Sequence, residues 1–328
     1  MPNYPTESQI IARIRERFPT RADLVGLGIG DDCEWLKRCY PLVTTDCFVE
    51  GVHFDLRYMT LTDAAYRAMT ANLSDIAAMG GEAGAFLLSL GLVPKRFVLS
   101  QLDLFMDGIL ECIHDHAATE CFLAGGDVVR SPNSLFFNIC MLGSVSEGAP
   151  LTRSAAAPGD LLVVFGALGQ AALGFGLLEK GVKEERFSPF YDAFLRPKAQ
   201  LKLGKRLREL AHAAMDLSDG LLQDCPKLLA QSRIGAEIYV DALELSELER
   251  EAAEILKLRP LDLALQGGED FSLLAAIAPD RLESAQVIAK ELGVAMQIVG
   301  KCVEAPGLNC YNATREYVVQ SCGFEHFE

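Results

Sequence analysis

Apolar residues recur at helical spacing in the opening segment, with Ile10, Ile11, Ile14 and Phe18 on one stripe and Pro19 closing it, so a short first helix is predicted. The pattern then turns extended. After GLGIGDD, the segments CEWL, PLVTTD and CFVEGVHF read as strands or near-strands, with acidic groups at their ends. Between 62 and 79, Ala65, Met69, Leu73 and Ile76 mark the buried stripe of a helix closed by Gly80 and Gly81. Asn72 and Asp75, three apart, share a neighbouring side of it, where both could face a site at the rim. A strand at 86–92, a helix at 100–114, a loop AGGDVVRSP and a strand at 135–142 follow.

The segment SVSEGAPLTRSAAAPGD, rich in small residues, Pro and Gly, places a domain boundary near residue 150, giving 1–149 and 150–328. Beyond it, 161–178 (LLVVFGALGQAALGFGLL) carries no charge and approaches the length of a membrane helix. Gly166 and Gly169 break it instead into a buried strand, a turn and a short apolar helix. AMDLSDG then runs into a helix, GGEDFSLLAAI reads as loop and strand, and a helix at 281–292 with a strand at 295–299 completes a mixed α/β body. No fixed-period repeat is visible.

Composition narrows the class. The 328 residues suffice for about two domains, and half of them are hydrophobic, as in a globular enzyme. A formal charge of −15 repels nucleic acid, and would repel a nucleotide too unless bound cations reverse the field locally. Ten cysteines are scattered without C-x-x-C pairs or zinc-like spacing, so reduced thiols in a cytosolic protein are expected. The N-terminal stretch lacks the form of a signal peptide.

Acids repeatedly adjoin glycines or hydroxyls in turns: GIGDD (Asp31, Asp32), TTD (Thr44, Thr45, Asp46), NLSD (Asp75), GGD (Asp127) and DLSDG (Asp216, Ser218, Asp219). Aspartate and glycine are ordinary turn formers, so each occurrence alone has a conformational explanation. Five such loops suggest convergence, and converging carboxylates need neutralising: two unit charges ~4 Å apart cost about 4 kcal/mol at an effective dielectric near 20. Oxygen donors without a His/Cys cluster describe magnesium rather than zinc. Common nucleotide motifs are missing, since Phe175 occupies the lysine slot of a P-loop spacing and GLGIGDD is not G-x-G-x-x-G.

GIGDDCEWL, TTDCFVEGVHF, NLSDIAAMGG, GGDVVRSP, LTRSAAAPGD, MDLSDGLLQD and LQGGEDFSLL stand in an order and spacing that resembles the thiamine-monophosphate kinases of the aminoimidazole-ribonucleotide synthetase superfamily. The resemblance spans nearly the whole chain. It implies a two-domain fold, an N-terminal sheet domain plus a C-terminal α/β domain, usually assembled as a homodimer through N-terminal sheets. It also implies ATP as co-substrate and several magnesium ions, held by Asp32, Thr44, Thr45, Asp46, Asp75, Asp127, Asp216 and Asp219. Gly126, Asp127, Arg153 and Ser218 match nucleotide contacts, and His53, Glu269 and Phe324 match substrate contacts. A carboxylate and an aromatic face suit a permanently cationic thiazolium ring. Two departures stand out: Val128 and Val129 replace the usual threonines after Asp127, and SCGFEHF keeps little of the last motif.

The implied reaction is direct transfer from ATP to the phosphate of thiamine monophosphate, with no covalent nucleophile or general base, because a phosphate monoester is mostly dianionic at pH 7. Two alternatives are weighed against it. One is another ATP-dependent synthetase of the superfamily, disfavoured by the absence of a reactive N-terminal or C-terminal cysteine; the other is a nucleotide- or cation-binding regulator without turnover.

Overall fold

The computed structural model describes residues 7–19, 25–27, 35–36, 42–94, 96–146, 148–313 and 315–318. The chain divides into two compact units, Met1–Ile76 with Gly81–Glu147 and Ala77–Gly80 with Gly148–Glu328. Both are mixed α/β.

The first unit begins with α1 (Glu7–Arg17), a short ribbon of β1 (Val25–Leu27) and β2 (Trp35–Leu36), and β3 (Leu42–Val49). Next come α2 (Leu61–Ala78), β4 (Glu82–Leu92), α3 (Leu99–Asp115), β5 (Phe122–Arg130) and β6 (Phe136–Ser144). The sheet has the order β3-β6-β4-β5, and β4 and β5 run parallel. Period-2 alternation makes one face core: Phe137, Ile139 and Met141 of β6 are buried with Leu73 and Ile76 of α2 and Met106 and Ile109 of α3. The opposite, more open face exposes Val43, Leu87 and Val129 and carries a small buried cluster of Ala85, Phe122 and Ala124 beside Leu142.

Two expectations need correcting here. TTDCFV is one continuous strand with Asp46 in its interior, not two segments with the acid at an end; aspartate is depleted inside strands, which hides the continuity. AGGDVVR is strand rather than loop, because pairing with β4 overrides the glycines' low propensity. A Cβ at Gly126 would lie 1.9 Å from the Leu88 carbonyl oxygen, so close strand approach alone requires glycine there.

The second unit contains β7 (Leu161–Phe165), α4 (Gln170–Glu179), α5 (Ser188–Leu195), α6 (Leu201–Leu207), β8 (Ala211–Leu217), α7 (Leu221–Ser232) and β9 (Gly235–Tyr239). It continues with α8 (Glu247–Leu256), α9 (Pro260–Gln266), β10 (Ser272–Ile277), α10 (Leu282–Leu292), β11 (Met296–Val303), β12 (Gly307–Asn312) and β13 (Arg315–Glu316). Strand order is β13-β12-β9-β11-β7-β10-β8, antiparallel except where β12 meets β9. LLVVF and SLLAAI read as unbroken apolar runs because helices cover both faces: Leu221 and Leu228 of α7 pack on one side, Leu203 of α6 and Ala285 of α10 on the other. The uncharged run 161–178 is therefore strand, turn and helix, and no helix among the described residues is long and apolar enough to cross a membrane.

Candidate active site

In the first unit, alternation along β3 turns Thr44 and Asp46 toward α2 and Thr45 to the open face. Thr44 Oγ1 donates a short hydrogen bond to Asp75 Oδ2 on α2. Asp46 Oδ2 is buried and has no hydrogen-bond partner among the described residues. Burial, and then the neighbouring Asp75 charge, push the Asp46 carboxyl up to about 7. Asn72 does not share this rim: it is wholly buried, its amide donating to the Ala68 carbonyl. Thr45 Oγ1 instead accepts from Asn138 Nδ2 at 2.8 Å.

Asp127 is exposed on β5, in register with Ser89, which pairs with Asn138, which pairs with Cys47. Gly126, also exposed, lies in the row that crosses Leu88 and Ile139 to Asp46. Three strand steps of about 4.8 Å put Asp127 and Asp46 roughly 14 Å apart, too far to share one ion. Past the end of β3, Val49 N donates to His53 Nδ1 at 3.2 Å, which leaves the proton on Nε2. The ring leans on Phe48, centroids 5.4 Å apart.

In the second unit, the DLSDG and GGEDF motifs pack against each other although about fifty residues separate them. Ser218 O accepts from Glu269 N at 2.7 Å, and Leu217 O accepts from Phe271 N at 3.1 Å. A Cβ at Gly268 would meet Ser218 O at 2.5 Å, and one at Gly220 would meet Gln266 O at 2.6 Å, so both motif glycines serve this contact. Asp216 is buried at the end of β8, beside Leu273 of β10. Asp219 is bound to a cation of the protein itself: Lys227 Nζ lies 2.6 Å from its Oδ2 and 2.7 Å from Asp224 Oδ1. Arg153 is exposed, its carbonyl accepting from Ser232 Oγ at 2.8 Å, while the preceding Thr152 carbonyl accepts from Ala214 N of β8.

Two acids escaped the reading from sequence. Asp224 is buried in the first turn of α7 and accepts from Asp219 N and Gly220 N, fixing the DLSDG turn. Asp270 accepts from Gly169 N at 2.5 Å and Ala171 N at 2.8 Å at the start of α4. Burial pushes its carboxyl up to about 7 against the pull of those N–H groups. An acid opening a helix turn is a usable signal for Asp224; Asp270 has none, because its partners lie a hundred residues away. Asp32 and Phe324 lie outside the described residues. A cavity of about 390 Å³ beside α4 is walled by Gly166, Leu168, Gln170, Ser246, Glu249 and Gln297, and no motif acid lines it.

The first unit's acids suit a hard divalent ion: a buried carboxylate oxygen without a donor among the described residues, a second carboxylate and a hydroxyl. Among the described residues, no three His, Cys, Asp or Glu side chains form such a group by themselves, so water or phosphate oxygens would complete the shell.

Residues 30–145 match the family model of the AIR synthase related protein N-terminal domain, and 157–311 that of its C-terminal domain. The structure is similar to that of thiamine-monophosphate kinase from Stenotrophomonas maltophilia K279a, with a TM-score of 0.79 at 31% identity over 94% of this chain and 96% of that one. It is also similar to AaThiL complexed with AMPPCP and TMP, with a TM-score of 0.75 at 27% identity over 98% and 97%. By sequence, the thiamine-monophosphate kinase of Escherichia coli strain K12 is 34% identical over 330 residues, 98% of both chains. The two sheets and their helices are thus an AIR synthase related fold, and the chain belongs to the thiamine-monophosphate kinase family within it. It is a phosphotransferase that uses a phosphate group as acceptor.

Proposed function

We propose that the protein phosphorylates thiamine monophosphate to thiamine diphosphate by direct, in-line, magnesium-dependent transfer of the γ-phosphoryl group of ATP, the last step in making the diphosphate. The supporting observation is the buried Asp46 oxygen, without a hydrogen-bond partner among the described residues, beside Asp75 and Thr44. A carboxylate held there is costly without a cation.

Asp46, Asp75 and Thr44 would hold magnesium in the first unit and Asp216 in the second, with Asp32 and Asp127 as further ligands. Bound magnesium would offset charge on the polyphosphate and on the transferring group. The roughly 14 Å between Asp46 and Asp127 argues for more than one ion. Thr45, turned to Asn138, and Asp219, paired with Lys227, are the least suited of the assigned ligands.

Gly126 and Ser218 would border the nucleotide, and Arg153, exposed and fixed through its backbone, would pair with its phosphates in two-pronged fashion. His53, protonated at Nε2, would donate to a substrate oxygen. Glu269 and Phe324 would take the cationic ring. The acceptor phosphate, with a second pKa near ~6, is already mostly a dianion at neutral pH and needs no base. The open sheet face of Val43, Leu87 and Val129 suits a homodimer, and the seven free thiols among the described residues suit the cytosol.

The test is to mix protein, ATP, magnesium and thiamine monophosphate and look for the diphosphate by mass. Its absence, or a phosphorylated Asp or His on the enzyme after ATP alone, refutes the reading.

A further inference from the structure

The five residues between α9 and β10, Gly267–Phe271, contain two non-glycine residues in the left-handed region, Glu269 at φ 68° and Phe271 at φ 50°. Such backbone persists only where its surroundings over-determine it. The surroundings grip it alternately. Glu269 and Phe271 donate backbone N–H groups to Ser218 and Leu217 at the end of β8. Asp270 and Ser272 reach the other way with their side chains, Asp270 to Gly169 N and Ala171 N, Ser272 Oγ to the Ala167 carbonyl at 2.7 Å.

These two sets of anchors are unequal. Phe271 is also locked by burial in the core, whereas Glu269 is half-buried and sits between its own backbone bond to Ser218 and the Asp270 clamp on the residue after it. Both Asp270 oxygens are used, and each faces a donor of a helix start that has no side-chain cap from Gly169 itself. The direction of the Gly169 N–H is set by a φ of 78°, and a Cβ there would meet the Leu263 carbonyl oxygen at 2.5 Å. Asparagine at 270 would keep one acceptor but, unlike the ionised carboxylate, press an NH₂ against the second N–H.

We infer that Asp270 is a positioning residue: by clamping onto the start of α4 it fixes Glu269 against the DLSDG turn, and so sets how tightly the cationic ring of thiamine monophosphate is held. This rests on the proposed reading of Glu269 as the contact to that ring.

Steady-state kinetics of Asp270→Asn, Gly169→Ala, Ser272→Ala and Glu269→Gln test it. Asp270→Asn and Gly169→Ala should each raise KM for thiamine monophosphate about tenfold, with KM for ATP and kcat changed by less than about threefold. Ser272→Ala, which loosens the same turn without touching the Asp270 clamp, should lower the melting temperature and leave both KM values alone. In the double variant, Asp270→Asn should add less than about twofold to the effect of Glu269→Gln. If Asp270→Asn does not fold, Gly169→Ala decides. An unchanged KM for thiamine monophosphate in the folded variants, or an equal rise in KM for ATP, overturns the positioning role while Glu269→Gln still raises KM. If Glu269→Gln itself leaves that KM unchanged, the reading of Glu269 fails and the positioning role falls with it.

Discussion

The Oδ2 atom of Asp46 lies buried without a donor among the described residues, and the Asp75 carboxylate adds like charge beside it. In the metal-free protein this arrangement opposes folding; under the proposed function a divalent ion would turn it into a ligand set. Asp46→Asn should therefore raise the stability of the metal-free protein by about 1–2 kcal/mol while cutting magnesium-dependent turnover by at least about a hundredfold. Calorimetry in chelator, beside a turnover assay, checks both; a less stable variant would show that Asp46 is tied down by the fold instead. Thr44, Asp46 and Asp75 could be picked out in the sequence because their motifs stand in family order. Which hydroxyl of the Thr44–Thr45 pair faces the acid was not legible, since that depends on strand register.

At the scale of elements, α4 starts with a glycine that offers no cap, and Asp270 supplies one from another part of the chain. Its carboxyl is pushed up to about 7 from an ordinary 3.8, so the folded state keeps a proton there that the unfolded chain releases between about pH 4 and 7. Stability from this group thus falls as pH rises through that window and levels off above it. Denaturant melts of wild type and Asp270→Asn from pH 4 to 8 should differ by that slope, and parallel curves would refute it.

Elements set by local pattern were readable: the glycines of 161–178 divided strand from helix where the structure does. Elements set by pairing were not, because nothing within AGGDVVR announces that β4 will hold it extended.

For the molecule as a whole, a formal charge of −15 makes an unfavourable field for any anionic ligand, which the cations of the proposed function would offset locally. The open sheet face adds a requirement of its own: Leu87 and Val129 stand exposed on adjacent strands with Val43 on the edge. Leu87→Lys should shift the protein from dimer to monomer in sedimentation at micromolar concentration. A wild type that sediments as a monomer would refute the proposed assembly. Sequence could announce the fold class through motif order, whereas the interlock of DLSDG with GGEDF emerges only from strand order.

That strand order has a consequence for biosynthesis. β10 (Ser272–Ile277) lies between β7 and β8, joining strands made about a hundred and about fifty residues earlier. Until it leaves the ribosome, β7 and β8 have no shared neighbour, and both show bare edges to chaperones and proteases. Insertion of this late strand joins β7 to β8 and brings the residues before it onto the DLSDG turn that follows Asp216 in the same event, so a nascent chain halted before residue 277 should be recognised as unfinished rather than released as a partly working enzyme.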